Sequence, residues 1–276
     1  MTIILLTGAT GFVGRHVLRH LLEAGACVRA VVRPGRPLPD GVARIETPDV
    51  FAESPAWWET HLRGIDTVIH CAWYAEPGAY LFDPRNHDCL VGTLALARAA
   101  TRVGVRRLVG VGTCFEYDLS ARVLSTDTAL RPSTPYAACK AAAFLALSQT
   151  LPKADVSFAW ARLFYLYGEG EDPRRLVPYL HDRLSKGQPA DLTQGFQIRD
   201  FMNVAEAGAQ IASLALPGPG RDVQGAVNIC SGKPVTVREL AMSVAHGYGR
   251  PDLLRFGARA ENAVEPDCVL GIATTW

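Results

Sequence analysis

The sequence predicts an α/β fold built on a doubly wound parallel sheet, and three observations lead to this prediction. Short apolar or β-branched runs alternate with longer segments rich in alanine and leucine, which is the order of βαβ units. The short runs are almost continuously apolar, as expected for strands that are covered on both faces. A glycine-rich turn beginning at Gly8 separates the first run from the first predicted helix.

The predicted elements follow one another in the order that this fold requires. The first strand, helix and second strand are expected at Ile3–Thr7, Arg15–Glu23 and Cys27–Val32. Later in the chain we expect a strand at Thr67–Cys71, a helix at Leu90–Thr101, a strand at Leu108–Val111 and a helix that begins near Tyr136.

Composition indicates an ordinary globular chain. Of its 276 residues, 49% are hydrophobic and 20% are charged, which disfavours disorder and suffices for one large or two small domains. Lys and Arg total 28 against 27 for Asp and Glu, so the net charge of +1 provides no global field that would attract nucleic acid. We therefore expect no nucleic-acid partner.

The N-terminus and the cysteines indicate the compartment. The first apolar run has no basic region before it and ends after four residues, which predicts a buried strand rather than a signal peptide or a membrane span. Seven cysteines at irregular spacing form no CxxC pair. We expect a cytoplasmic protein with no membrane association. We also expect no metal site, since His70 has no second ligand at metal-like spacing.

The glycine turn predicts a dinucleotide site. Glycines at 8, 11 and 14 would allow a tight turn and bring the backbone close to a pyrophosphate, which the helix N-terminus attracts. A plain strand-to-helix turn is the alternative. The residues expected to bind the cofactor here are Gly8, Thr10, Gly11, Phe12, Val13 and Gly14.

The end of the second strand favours NADP(H) over NAD(H), which remains possible. Dinucleotide sites specific for NAD place an acidic residue there for the ribose hydroxyls, whereas this chain has Arg33 and Arg36. A guanidinium matches a 2′-phosphate and cannot accept hydroxyl protons. A solvated basic loop is the alternative interpretation.

A tyrosine and a lysine four residues apart predict acid–base chemistry. Tyr136 and Lys140 would share one face of a helix, and a nearby ammonium lowers the pKa of a phenol by favouring the phenolate. Thr113 ends an apolar strand upstream and could share the substrate oxygen with Tyr136. Alone, Thr113 could equally be a strand-end cap, and YxxxK a surface turn.

These motifs resemble the extended short-chain dehydrogenase/reductases, and specifically the NAD(P)-dependent nucleotide-sugar epimerase/dehydratase group. The order is the family's: TGATGFVG at 7–14, Thr113, and YxxxK at 136–140. Downstream, RLFYLYG at 162–168, QIRDFMNV at 197–204 and NICSG at 228–232 are similar to later family segments.

The resemblance implies a Rossmann domain over 1–164, with 202–229 added to it, and a smaller substrate-binding lobe from 165–201 and 230–276. It implies that Tyr136 exchanges the proton, that Lys140 binds the nicotinamide ribose and that Thr113 hydrogen-bonds the reacting oxygen. It also places Asp49, Val50 and Ala72 beside the cofactor.

The substrate implied is a nucleotide-diphosphate sugar. Arg199 is the candidate for its pyrophosphate, with an ion pair to Asp200 as the alternative. Tyr165 stands where the family has a substrate-contacting Asn. Related dehydratases carry two acidic residues directly after the catalytic Thr; here these positions are Cys114 and Phe115, which makes dehydration an unfavoured reaction.

The expected activity is reduction of a 4-keto sugar nucleotide by NADPH, since a reductase consumes a hydride at each turnover. A 4-epimerase with tightly bound NAD is the first alternative, and a non-catalytic NADP(H)-binding sensor or scaffold is the second. By the resemblance, helices containing Leu94–Ala100 and Ala141–Leu147 would pair two copies in a homodimer.

Overall fold

A computed structural model describes residues 2–260 and 266–276, and the described part is a layered α/β structure. Its strands are β1 (Ile3–Thr7), β2 (Cys27–Val32), β3 (Ala43–Glu46), β4 (Thr67–His70), β5 (Arg107–Thr113), β6 (Val123–Leu124), β7 (Ser157–Leu163), β8 (Tyr165–Tyr167), β9 (Ala190–Leu192), β10 (Ile198–Asn203), β11 (Gly225–Ile229), β12 (Pro234–Thr236), β13 (Leu254–Phe256) and β14 (Cys268–Gly271). Its helices are α1 (Gly14–Glu23), α2 (Pro55–Leu62), α3 (Arg85–Arg102), α4 (Pro135–Thr150), α5 (Leu176–Ser185), α6 (Val204–Ser213) and α7 (Val237–Gly247).

The main sheet confirms the predicted fold class. Seven parallel strands lie in the order β11-β7-β5-β4-β1-β2-β3. The strand order reverses around β1, because β2 and β4 lie on opposite sides of it. In open sheets of this kind, ligands bind at the carboxyl ends of the strands next to such a reversal.

Helices cover both faces of this sheet. On one face, Val17 and Leu21 of α1 and Ile211 of α6 pack into the core. On the other face, the core contains side chains of α2, α3 and α4, including Trp58 and Leu96. Burial on both faces explains why the strands are so continuously apolar in the sequence.

Most of the remaining strands form a second, smaller sheet. It has the order β12-β10-β14-β6, with β8 paired to β10, and β9 pairs separately with β13. A separate apolar cluster joins α5 and α7 to β9 and β13. The division of the chain into two lobes remains a prediction. Within the predicted Rossmann segments, α6 packs against α1 and β11 joins the main sheet. In contrast, β6, which lies within 1–164, belongs to the smaller sheet. None of the helices in the described ranges is long and apolar enough to cross a membrane.

Candidate active site

A large cleft opens at the carboxyl ends of β1, β2, β4 and β5, with a volume of about 1410 Å³. All the predicted site residues except Arg36 line it. They are Gly8, Thr10, Gly11, Phe12, Val13, Gly14, Arg33, Asp49, Val50, Ala72, Thr113, Tyr136, Lys140, Tyr165 and Arg199. Residues that are far apart in the sequence are thus brought together around one space.

The glycine turn forms a narrow backbone cradle at one end of the cleft. Gly8 has φ of +72°, and its carbonyl accepts from Gly11 N–H at 2.9 Å. A Cβ at Gly14 would lie 2.0 Å from the Gly8 carbonyl oxygen, and a Cβ at Gly8 would lie 2.8 Å from the backbone nitrogen of Ala72. Only glycine fits at both positions, and α1 begins directly after the turn. Backbone N–H groups at such a helix start can hold a cofactor pyrophosphate.

His70 supports this cradle and uses both ring nitrogens in hydrogen bonds. Its Nδ1 lies 2.8 Å from the Thr7 hydroxyl, and its Nε2 lies 2.9 Å from the Thr93 hydroxyl. Thr93 already donates its proton to the Cys89 carbonyl, so Nε2 of His70 must donate and Nδ1 must accept. Burial lowers the pKa of His70 to about 3. The neutral ring fixes Thr7, whose hydroxyl accepts from Ala72 N–H at 3.2 Å. No group of possible metal ligands occurs among the described residues.

The two arginines after β2 differ in position. Arg33 lines the cleft with an exposed side chain. Arg36 is exposed outside the cleft lining, and its carbonyl accepts a hydrogen bond from the Arg44 guanidinium at 2.8 Å. The structure therefore does not bring Arg36 into the lining of the cleft, where Arg33 lies. Arg33 is the arginine after β2 that remains a candidate for binding a 2′-phosphate.

Tyr136 and Thr113 come together in the cleft. Thr113 is the last residue of β5, and Thr134 caps α4 by accepting from Ala137 N–H, which places Tyr136 in the first helical turn. Burial raises the pKa of Tyr136 well above its ordinary value, the neighbouring Tyr80 adds to this effect, and interaction with the Thr113 side chain opposes it. The structure therefore contradicts the prediction of an unusually acidic phenol, because burial raises its pKa and, of these causes, only the Thr113 hydroxyl acts in the opposite direction.

Lys140 is buried one helical turn after Tyr136 on α4. Its ammonium donates a hydrogen bond to the Val111 carbonyl and lies 3.9 Å from the centroid of the Trp73 ring. Burial lowers the pKa of Lys140 to about 8, while the charge of Glu116 acts in the opposite direction. Hydrogen bonding and the cation–π contact thus stabilise a cation that desolvation disfavours.

Two aromatic side chains beside Tyr136 were missed by the sequence analysis. The rings of Trp73 and Tyr80 meet the Tyr136 ring edge to face, with centroids 6.4 and 4.9 Å away. Buried Asn86 connects them, since its side chain accepts from Trp73 Nε1 at 2.8 Å and donates to the Tyr80 carbonyl at 2.6 Å. The sequence carried a signal for Trp73, which follows Ala72 just after a predicted strand, but none for Tyr80, which lies seven residues further on.

Glu116 follows Thr113 by three residues, yet its carboxylate does not face the cleft. It is fully buried and pairs with Arg162 Nε at 2.8 Å. Phe115, in contrast, lines the cleft. The first carboxylate after Thr113 therefore cannot reach a substrate, which agrees with the expectation that dehydration is unfavoured.

Aromatic residues and an arginine form the far end of the cleft. The Tyr165 ring contacts Phe115 and Phe201 edge to face, with both centroids 6.0 Å away. The guanidinium of Arg199 lies 5.2 Å from the Tyr165 ring, and Arg199 is 2% exposed. Asp200 instead accepts hydrogen bonds from the backbone of Ser231, Gly232 and Gly271, at 2.7, 3.0 and 3.1 Å.

Comparison with known proteins places this chain among nucleotide-sugar enzymes. The sequence model of the NAD dependent epimerase/dehydratase family matches residues 4–230. The dTDP-6-deoxy-L-talose 4-dehydrogenase (NAD(+)) of Aggregatibacter actinomycetemcomitans is 24% identical over 243 residues, covering 85% of this chain and 86% of that protein. The UDP-glucose 4-epimerase of Streptomyces lividans is 26% identical over 274 residues, covering 90% of this chain and 81% of that protein.

A solved structure extends the similarity to the whole chain. MoeE5, in complex with UDP-glucose and NAD, superposes with a TM-score of 0.79 and is 29% identical. The match covers 98% of this chain and 89% of that one. The overall fold is thus similar to that of a protein solved in complex with NAD and UDP-glucose.

Proposed function

Because the chain belongs to the NAD dependent epimerase/dehydratase family, and is thus an NAD(P)-dependent enzyme that modifies nucleotide sugars, we propose that it reduces a 4-keto sugar nucleotide with NADPH. The observation that carries this proposal is the pairing of Tyr136 with Thr113. Burial keeps the Tyr136 phenol protonated, as its raised pKa indicates. A protonated phenol beside a hydroxyl is suited to donating a proton to a carbonyl oxygen that is being reduced.

The residues that would hold the cofactor lie along one wall of the cleft. The Gly8–Gly14 turn would bind the pyrophosphate through its backbone N–H groups, and Asp49, Val50 and Ala72 line the same cleft. Arg33 would bind a 2′-phosphate on the adenosine ribose. When bound, the nicotinamide supplies the hydride.

Three side chains would handle the reacting carbonyl. Thr113 and Tyr136 would both hydrogen-bond the oxygen, which orients the sugar and lets Tyr136 transfer its proton as the alcohol forms. Lys140, on the same helix face, would stabilise the phenolate that remains and would bind the nicotinamide ribose.

The sugar nucleotide would occupy the remainder of the cleft. The guanidinium of Arg199 donates to the Ile198 carbonyl at 2.9 Å and lines the cleft, where its charge would attract a diphosphate. Tyr165, flanked by Phe115 and Phe201, presents an aromatic wall on which the C–H face of a sugar ring could pack.

A relative supports reaction at C4 but not the choice of cofactor. Its name, dTDP-6-deoxy-L-talose 4-dehydrogenase (NAD(+)), describes the reverse of a 4-keto reduction with the other nicotinamide cofactor. The epimerase relative favours the second candidate, a 4-epimerase that retains NAD. The third candidate function is cofactor binding without catalysis. The presence of Thr113, Tyr136 and Lys140 in one cleft argues against it.

Incubation of the purified chain with NADPH and a 4-keto-6-deoxy sugar nucleotide separates the three candidates. Stoichiometric oxidation of NADPH with formation of the alcohol supports the reductase. Equilibration of sugar 4-epimers without added cofactor supports the epimerase instead. Cofactor binding with no turnover across a panel of sugar nucleotides supports the non-catalytic protein.

Assembly and location are part of the same proposal. Val91 on α3 is 65% exposed and Leu145 on α4 is 54% exposed, so these neighbouring helices present apolar side chains to solvent. We place the contact between two copies of a homodimer on this face.

All seven cysteines are free thiols, which supports a reducing cytoplasm as the location.

A further inference from the structure

Glu116 is a fully buried carboxylate directly beneath the candidate catalytic Thr113. Its Oε1 accepts a hydrogen bond from the Thr113 backbone N–H at 2.8 Å. The Thr113 hydroxyl in turn accepts from Phe115 N–H at 3.3 Å. Two contacts within four residues therefore determine how Thr113 presents its hydroxyl to the cleft.

The neighbouring strand provides the other partners of Glu116. Trp160 Nε1 donates to both of its oxygens at 2.9 and 3.1 Å, and Arg162 Nε donates at 2.8 Å. The Arg162 guanidinium lies between the rings of Tyr117 and Phe144, 4.4 and 4.5 Å from their centroids. Each of these partners donates an N–H group to the carboxylate, and Arg162 adds a buried salt bridge to it.

Two glycines of β5 make this arrangement possible. A Cβ at Gly110 would lie 2.4 Å from the Trp160 ring. A Cβ at Gly112 would lie 2.2 Å from Trp160 Nε1 and 2.4 Å from Glu116 Oε1. Glycine at alternate positions therefore lets the indole lie flat on β5 and reach Glu116, which explains the Gly-Val-Gly run before Thr113.

We propose that Glu116 is a positioning residue for the proposed reaction: it holds the Thr113 backbone in place and supplies the buried negative charge behind Tyr136 and Lys140. This inference rests on the proposed function. The charge acts on both groups, since Glu116 raises the pKa of Lys140 and of Tyr136. The ionisable groups that face Glu116 are Tyr136 and Lys140 on α4, Arg162 on β7, and Cys114 and Tyr117 on its own segment.

Two substitutions in the full chain separate the two roles. Glu116→Gln keeps an oxygen that can accept from Thr113 N–H but removes the charge. We expect the alkaline limit of the kcat profile to move down by about one pH unit, because Tyr136 and Lys140 lose a neighbouring anion. Glu116→Asp keeps the charge but withdraws the carboxylate from Thr113 N–H by the length of one methylene. We expect kcat to fall about tenfold or more with KM little changed, and the alkaline limit to stay.

Arg107→Met is the matched control, because Arg107 is a buried charged residue at the opposite end of the same strand. It should lower the melting temperature without moving the pH profile. The proposal is overturned if Glu116→Gln has the wild-type pH profile and Glu116→Asp has the wild-type kcat. If Glu116→Gln does not fold, the kcat of Glu116→Asp decides the outcome: a wild-type kcat overturns the proposal and a lower one supports it.

Amide hydrogen exchange keeps this test separate from the proposed function. Exchange at Thr113 should be about tenfold faster in Glu116→Asp, because its hydrogen-bond acceptor is out of reach. This measurement needs no turnover. Absence of any activity in the wild type would therefore reject the proposed function alone, whereas unchanged exchange would reject the positioning role.

Discussion

The ammonium group of Lys140 lies 3.9 Å from the centroid of the Trp73 ring and donates to the carbonyl of Val111. Val111 belongs to β5 and Trp73 to the segment after β4, and both meet α4 only in the folded chain. Meanwhile burial raises the pKa of the nearby Tyr136. The phenol can donate a proton to a carbonyl oxygen that is being reduced, and the nearby cation would stabilise the phenolate that remains.

Replacing Tyr136 with Phe should abolish turnover while leaving cofactor binding intact. The change removes the proton donor but keeps the ring that packs against Trp73 and Tyr80. We expect kcat to fall by about 10² to 10⁴-fold in steady-state assays, with the cofactor Kd within a factor of about three. Tyr80→Phe is the control and should retain most of the activity. Substantial activity in Tyr136→Phe would remove Tyr136 from the catalytic role.

Arg33→Ala should reduce the preference for NADP(H). The loss of a charged hydrogen-bond donor to the 2′-phosphate should weaken NADPH binding by about 10 to 100-fold and leave NADH binding unchanged. Isothermal titration with both cofactors measures the effect. Arg36→Ala, which alters a residue outside the cleft lining, is the matched control. An undiminished preference in Arg33→Ala would exclude Arg33.

Arg199→Ala should weaken binding of the sugar nucleotide and not that of the cofactor. A buried guanidinium that holds a diphosphate contributes a charge-assisted interaction, so the substrate Kd should rise by about 10 to 100-fold. Arg199→Lys keeps the charge but loses the planar guanidinium, so its substrate Kd should lie between those of wild type and Arg199→Ala. Equal substrate affinity in wild type and Arg199→Ala, measured by titration, would reject the ligand role.

Stability should decrease below pH 6.5 because of His70. Folded His70 stays neutral down to a pKa of about 3, whereas the unfolded residue has its ordinary value of 6.5. The unfolded state therefore binds the extra proton, and the free energy of unfolding should drop by about 2 kcal/mol between pH 8 and pH 5 from this residue.

His70→Gln isolates this effect. The variant should be less stable at pH 8, because the links to Thr7 and Thr93 are altered, but its denaturation midpoint should depend less on pH between 5 and 8. His87→Gln, at an exposed position, should keep the wild-type dependence. Identical pH dependence in wild type and His70→Gln would contradict the assignment.

Charge introduced on the α3–α4 face should produce monomers. Val91 and Leu145 are exposed apolar residues of that face, so Val91→Glu with Leu145→Glu would bury two carboxylates in the proposed interface. Sedimentation should give the mass of two chains for wild type and of one chain for the variant. Phe196→Glu, a charge at a 70% exposed residue outside these helices, should remain dimeric. A monomeric wild type at micromolar concentration would contradict the dimer.

Local patterns were enough to predict the fold and most of the candidate site. The strands at Ile3–Thr7 and Cys27–Val32 have the predicted bounds, and the helix expected near Tyr136 begins at Pro135. The glycine cradle is where the turn chemistry placed it. These features are set within a few residues by apolar periodicity, backbone freedom and helix capping, all of which are visible in one segment of chain.

Tertiary structure decided the electrostatics of the cleft. The sequence places Tyr136 and Lys140 on one helix face, but not how strongly burial would act on them or that Trp73 would cover the ammonium. Likewise, Glu116 follows Thr113 in the chain, yet its partners Trp160 and Arg162 belong to a strand more than forty residues later. Desolvation and buried charge depend on everything packed around a group, and that packing is defined only when distant segments meet.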